Sequence, residues 1–339
     1  MWTLERTSIF ARSWQFFGHE SALADPGCWV ARTIAGYRLF VLRDDEGSLR
    51  GFHDVCRHRA GPLTLGESGR CEGDIVCRYH GWRYAYDGRL KAARDFGPAA
   101  DFDVREFGLF PVGVETWRGL VFVAMAGDQG PLAAWTAPLE ARLAGAEWSD
   151  LGVALTRSHT LACNWKTYVE NYLEGYHVPL VHPGLDAEID SSRYAVRVEG
   201  RVALHDAPLR NAGAVYGGLW GWLWPNLGVN VYGRGLMLEC ISPQGAAMTR
   251  LDYIYLMPRD ETVDAATLAM SDQVTAEDIE IVERVQENLD AGIYQAGRLS
   301  PRHEGALAAF QAMVRDALSR QSSADVAREG KFAQPPDRR

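Results

Sequence analysis

Cys56-Arg57-His58 and Cys77-Arg78-Tyr79-His80-Gly81-Trp82 are the two stretches on which the reading of this sequence turns. Together they spell C-x-H-x18-C-x2-H, with each stretch contributing one cysteine and one histidine. Two soft thiolates and two imidazoles delivered by two short loops are a donor set for a metal centre. Gly81 allows the backbone to approach such a centre closely, and Trp82 can shield it from water.

Two centres use that donor set. One is a closed, tetrahedral Cys2His2 zinc site. The other is a [2Fe–2S] cluster of the Rieske type, with two cysteines on one iron and two histidines on the other. Spacing separates them. Zinc fingers group both cysteines and then both histidines, with a helix between. Here each loop carries one of each, as a cluster with two unlike irons requires. Cys56, His58, Cys77 and His80 are therefore read as ligands of a [2Fe–2S] cluster, and His53 as a nearby strand residue.

The bulk composition has an ordinary globular balance. The chain has 339 residues, 47% hydrophobic and 23% charged, enough for one large or two ordinary domains. A net charge of −9 offers no basic field for nucleic acid or an anionic membrane. A small-molecule substrate or a protein partner is the better expectation. No apolar run approaches the roughly 20 residues of a membrane span. Met1-Trp2-Thr3-Leu4-Glu5-Arg6 lacks the apolar stretch of a signal peptide, so a cytoplasmic location is expected. The six cysteines (Cys28, Cys56, Cys71, Cys77, Cys163 and Cys240) are too sparse for a disulfide framework.

Along the chain, strands come first and long helices later. Residues 1–28 are expected to form an N-terminal helical segment, with residues 1–20 helical and packed on the larger domain. Residues 29–135 read as a small all-β module: Asp44-Asp45-Glu46-Gly47 marks a loop between strands, and Asp87-Gly88 marks a hairpin. Around 127–150 a mixed Gly, Pro, Ala and acidic stretch suggests the passage between domains. Residues 136–320 then read as an α+β domain, with a strand at 153–161, a helix at 164–176, strands between 194 and 257, and helices at 275–292 and 304–320. Residues 321–339 are polar, carry Pro335-Pro336, and are expected to be a disordered tail.

A second constellation lies in that larger domain. Asn164 to His177 reads as a helix and its end, followed by Val178-Pro179-Leu180-Val181-His182-Pro183. Five residues apart, His177 and His182 would be about 140° apart on a continuous helix and could not share an ion. Pro179 disfavours a regular helix between them, so a break after His177 would let His182 swing back. Two histidines need a carboxylate to complete the facial triad used by oxygen-activating iron. Glu277, Asp278, Glu280 and Glu283 are the candidates, and Thr275-x-x-Asp278 also resembles a helix-start capping box.

The two constellations, in this order, resemble the α subunit of the Rieske non-heme iron oxygenases, the aromatic-ring-hydroxylating dioxygenases. The resemblance runs from about Ile9 to Leu318 and includes Asn164-Trp165-Lys166-x3-Glu170-Asn171-x2-Glu174-x2-His177-x4-His182. It implies a β-rich Rieske domain followed by a START-like, helix-grip catalytic domain. It also implies that His177, His182 and Asp278 hold a mononuclear Fe(II), with Asn171 close by in a tuning role. Glu174 matches the acid that links the iron ligand His177 to His80 of a neighbouring subunit, which implies a ring, usually a homotrimer. Most members carry Asp there; Glu occurs in a smaller set that includes oxygenases of quaternary ammonium compounds.

The implied activity is that of a terminal oxygenase. It would hydroxylate a small aromatic compound or a methylated or quaternary amine, or demethylate it oxidatively, using O2. Electrons would come from NAD(P)H through a partner reductase, with or without a ferredoxin; Arg57, Arg59, Arg78 and Arg83 near the cluster could offer it a cationic dock or be ordinary solvated charges. Trp220, Trp222 and Trp224 alternate on one strand face and, with Tyr216 and Asn230, are candidates for the substrate wall, with an aromatic core stripe as the equal alternative for any single Trp. Two rival readings are a Rieske-type electron-transfer protein with a non-catalytic ligand-binding domain, and a zinc-stabilised START-like binding protein. Neither has a use for the His177/His182 pattern.

Overall fold

The structure is a computed structural model that describes residues 1–99, 101–145, 148, 150–210 and 214–329. The strands of its first half are Gln15–His19 (β1), Cys28–Ile34 (β2), Tyr37–Arg43 (β3), Leu49–His53 (β4) and Ser68–Arg70 (β5). Ile75–Val76 (β6), Arg83–Tyr84 (β7), Leu90–Ala92 (β8), Pro111–Trp117 (β9) and Leu120–Ala124 (β10) follow. Seven of these form an antiparallel sheet in the order β1-β10-β9-β4-β3-β2-β5, while β6, β7 and β8 make a small separate sheet. All five residues of β10 are buried, as its unbroken apolar run demands. Arg118 and Gly119, both at positive φ, turn β9 directly into β10 in the manner of a two-residue hairpin. The Asp87-Gly88 turn lies between β7 and β8, and Asp44–Gly47 between β3 and β4.

The second half is built on another antiparallel seven-stranded sheet. Its strands are Leu151–Leu161 (β11), Ala195–Glu199 (β12), Val202–Asp206 (β13), Tyr216–Leu223 (β14), Leu227–Tyr232 (β15), Leu236–Pro243 (β16) and Thr249–Pro258 (β17). They run in the order β11-β17-β16-β15-β14-β13-β12. The helices of the chain are Trp2–Ser8 (α1), Leu132–Arg142 (α2), Trp165–Tyr172 (α3), Val178–Val181 (α4), Pro183–Glu188 (α5), Ala265–Asp290 (α6) and Gly305–Glu329 (α7). Helix α3 packs on β16 and against α6, so sheet and helices close around the segment that carries His177 and His182. The fold is thus α+β, with a β-rich first half and a helix-gripping sheet in the second. Among the described residues no helix is long and apolar enough to cross a membrane.

Several elements depart from the sequence reading. Residues 1–20 are not all helical: after α1 and a short turn at Phe10–Arg12, the chain becomes β1, which pairs with β10. The helical part does pack on the larger half, where buried Glu5 accepts from Trp165 Nε1 at 3.0 Å and Phe10 meets the Trp165 ring at 5.0 Å. The 127–150 stretch contains α2, whose Trp135 and Leu139 are buried. The 164–176 helix ends at Tyr172. Helix α6 begins ten residues before the expected start, with Asp264 capping the Thr267 amide at 2.9 Å. Thr275 therefore caps nothing and instead donates to Ser271 O at 2.6 Å, leaving Asp278 in mid-helix. Finally, α7 continues to Glu329 where a disordered tail was expected from residue 321; residues 330–339 lie outside the described residues.

Candidate metal centres and their cavity

The first centre is made by two tight loops that face each other. In one, the Cys56 amide donates to Gly61 O and the Ala60 amide to Cys56 O; in the other, Cys77 N donates to Trp82 O and Gly81 N to Cys77 O. The loops approach closely at Gly61, where a Cβ would stand 3.1 Å from Cys77 Sγ. Cys56 and Cys77 are buried, while His58 and His80 are half-buried with their Nδ1 atoms 3.1 Å apart. Tyr84 OH lies 3.2 Å from Cys56 Sγ, and Trp82 stacks on the His58 ring at 4.9 Å. The sulfur donors thus sit inside and the imidazoles nearer the surface, so the two donor types are segregated. A zinc site would draw its donors around one ion. Among the described residues, the group gathered that tightly is a different one.

That group is His177, His182 and Asp278, whose ligand atoms lie within 4.8 Å of one another. The chain leaves α3 at Tyr172, and His177 and His182 then bracket the single turn of α4, opened by Pro179. The break brings the two rings to 5.0 Å. Gly175 makes the break possible, because a Cβ there would lie 2.4 Å from the Tyr194 ring. Asp278 Oδ1 lies 3.0 Å from His182 Nε2 and 3.8 Å from His177 Nε2. Asn171 Nδ2 donates to the same oxygen at 2.6 Å. Of the other carboxylates considered, Glu280 is exposed and Glu283 accepts from the Ala162 amide at 2.7 Å.

The far side of each imidazole is also occupied. His177 Nδ1 lies 2.5 Å from Glu174 Oε1, and His182 Nδ1 lies 2.7 Å from Glu277 Oε2. Both rings therefore turn Nε2 toward Asp278 with a carboxylate behind them, the arrangement that orients a metal-binding histidine. Glu277 was considered for a ligand; its place as the His182 anchor depends on the orientation of α6. Burial pulls the His182 pKa down, yet the hydrogen bonds and charges of Asp278 and Glu277 raise it overall. The site's electrostatics favour a cation, and its donors suit iron.

A cavity opens beside this trio, walled by the rings of Tyr168, Tyr172, Tyr194, Tyr216, Tyr253 and Trp220. Asn230 also lines it. Trp222 and Trp224 do not: they pack on each other and on Phe310 of α7. The correction has a simple cause. Trp220 and Trp222 alternate within β14 while Trp224 lies just past its end, and Phe310 of α7 packs against Trp222 and Trp224. Glu239 and His205, which line the cavity, were missed because nothing local distinguishes either from a strand residue.

Comparison with known proteins agrees with both halves. Residues 13–107 match the Rieske [2Fe-2S] domain, and residues 148–212 and 200–320 match the ring hydroxylating alpha subunit (catalytic domain). The chain belongs to the Rieske ring-hydroxylating oxygenase α-subunit family. The carnitine monooxygenase oxygenase subunit of Escherichia coli (strain K12) is 30% identical over 319 residues, covering 89% of this chain and 84% of that protein. The chloroplastic choline monooxygenase of Arabidopsis thaliana is 28% identical over 323 residues, covering 88% and 75%. A solved quaternary ammonium Rieske monooxygenase superposes with a TM-score of 0.82 at 27% identity, covering 93% of this chain and 91% of that one.

This Rieske oxygenase is accordingly an oxidoreductase, the terminal oxygenase component of its system, and it works with O2, a substrate and electron-transfer partners. Its cofactors are a Rieske [2Fe–2S] cluster and a mononuclear iron, with NAD(P)H as the indirect electron source. Cys56, Cys77, His58 and His80 would hold the cluster, which would supply single electrons, and His177, His182 and Asp278 would hold the iron, which would supply oxygen activation.

Proposed function

We propose that the chain oxygenates a small methylated or quaternary ammonium compound, with oxidative demethylation as one outcome. The observation that carries this reading is the cavity beside His177, His182 and Asp278: its walls are aromatic, and among the described residues no Lys or Arg lines it. Ring faces attract a cation and accept methyl groups. An aromatic carboxylate would find no basic partner there. The names of the relatives, carnitine and choline monooxygenases, support the same substrate class. An uncharged aromatic ring would fit the walls but would leave the buried Glu239 carboxylate, which lines the cavity, without a cation to meet it.

In this scheme Cys56, Cys77, His58 and His80 hold the cluster, and His177, His182 and Asp278 hold the iron. Glu174 and Glu277 fix the two imidazoles, and Asn171 fixes Asp278. Glu174 also links to His80 of a neighbouring subunit, so electrons cross between chains of a homotrimer. Tyr176 and Leu180 near Glu174, and Tyr79 beside His80, are exposed apolar side chains that such a neighbour would cover. Inter-subunit electron transfer is named for the solved relative. A reductase, with or without a ferredoxin, docks near exposed Arg59 and Arg78; Arg57 is engaged with Gly108 O, and Arg83 pairs with Asp74. None of the six cysteines is in a disulfide, which suits a reducing cytoplasm.

The test is substrate-dependent O2 uptake with a surrogate reductase. Choline, L-carnitine and glycine betaine are screened beside benzoate and naphthalene. Uptake with at least one ammonium compound is expected. Uptake with the aromatic compounds alone would overturn the reading.

A further inference from the structure

Three carboxylates line the cavity, and two of them are committed to the histidine pair: Glu174 to His177 and Asp278 to His182. The third, Glu239, is not. It projects from β16 in register with Gly228 on one neighbouring strand and Tyr253 on the other. It is 4% exposed. Its Oε1 accepts from Tyr168 OH at 2.6 Å and its Oε2 from Asn230 Nδ2 at 3.2 Å. Asn230 is oriented in turn by Tyr172 OH, 2.9 Å from its Oδ1. These donors are all neutral. Hydrogen bonds of this kind hold a carboxylate in place without neutralising it, and a buried unpaired charge is costly.

We propose that Glu239 is the seat of the substrate's cationic nitrogen, a specificity determinant for the oxygenation described above; this rests on the ammonium reading of that function. A quaternary nitrogen has no N–H to donate and no proton to lose, so hydrogen-bond geometry cannot select it. Charge and ring faces can. Glu239 supplies the charge, and Tyr168, Tyr172 and Tyr253 supply rings around it. Asp278 and His182 line the same cavity from α6 and the α4–α5 turn, so a ligand seated on Glu239 lies between the sheet and the iron ligands. Burial pushes the Glu239 carboxyl up to about 7, against the hydrogen bond from Tyr168, and an incoming cation would favour its ionised form.

The test compares choline with 3,3-dimethyl-1-butanol, its uncharged carbon isostere, on the full-length, iron-loaded enzyme. Binding is read by calorimetry, and the visible spectrum of the cluster confirms folding. Wild type should prefer choline, and Glu239→Gln should weaken choline binding by at least about tenfold while changing the isostere by less than about twofold. Glu239→Met, neutral and of similar length, should behave alike and serves if the Gln variant does not fold. Equal loss of both ligands, or a Gln variant that still discriminates as wild type does, overturns the assignment to Glu239 alone. Wild type that binds neither choline nor L-carnitine while turning over naphthalene removes the ammonium reading itself, and this proposal with it.

Discussion

The imidazoles of His177 and His182 are each held at Nδ1 by a carboxylate, at 2.5 Å and 2.7 Å, leaving Nε2 of both for a shared ion. In the proposed assignment, Asp278→Ala or His177→Ala abolishes turnover and iron binding at this site but keeps the red-brown cluster. Metal analysis should find two irons per chain instead of three, and full activity in either variant would sink the scheme. Glu277→Gln keeps all three ligands but loosens the His182 ring. Iron affinity should fall roughly 10–100-fold, read by chelator competition. His205 is a different kind of residue: burial lowers its pKa to about 3 from an ordinary 6.5, so it is neutral in the folded protein. The unfolded chain takes up a proton below 6.5 that the native chain refuses, so the stability His205 contributes is present above 6.5 and lost as pH falls toward 3. In His205→Gln, urea stability between pH 6.5 and 4.5 should fall less steeply, by up to about 1.4 kcal/mol per pH unit.

At the scale of elements, the decisive feature is the interruption between α3 and α5. Pro179 and the two histidines announce that break in the sequence, and the structure realises it with the single turn of α4. The start of α6 was less visible. Its N-cap is Asp264, and the face it buries over the first turns carries Thr267, Ser271 and Thr275, so no stripe of large apolar residues marks the start. The tryptophan strand shows the same limit, because alternation assigns Trp220, Trp222 and Trp224 to one face but cannot say what covers each. Phe310 on α7 covers the last two. Phe310→Ala should therefore cost about 3–5 kcal/mol of stability, measured by chemical denaturation, while substrate affinity stays near wild type. A cavity role for Trp222 would show instead as a change in substrate binding.

For the whole molecule, the proposed circuit makes each active site depend on two chains. His80→Ala and Glu174→Ala should each be inactive alone. Co-assembled in equal amounts, they should recover about a quarter of wild-type turnover per site, because one interface in four pairs an intact His80 with an intact Glu174. No recovery in verified mixed trimers would place electron transfer within one chain. The cluster loops were legible because a metal centre demands particular donor atoms at short separations, and these are written directly in the sequence as C-x-H and C-x2-H. The histidine pair was legible for the same reason, and Asp278 only with the help of resemblance. What the linear chain alone determined is therefore the donor set, the break that lets two histidines converge, and the order of a β-rich half before a helix-gripping one. The tertiary structure alone decided which carboxylate meets the histidines, which acids stand behind them, which tryptophan faces the cavity, and that Glu239 is buried there among neutral donors. Those facts depend on which strands and helices pack together across long sequence separations, and local pattern carries no record of that packing.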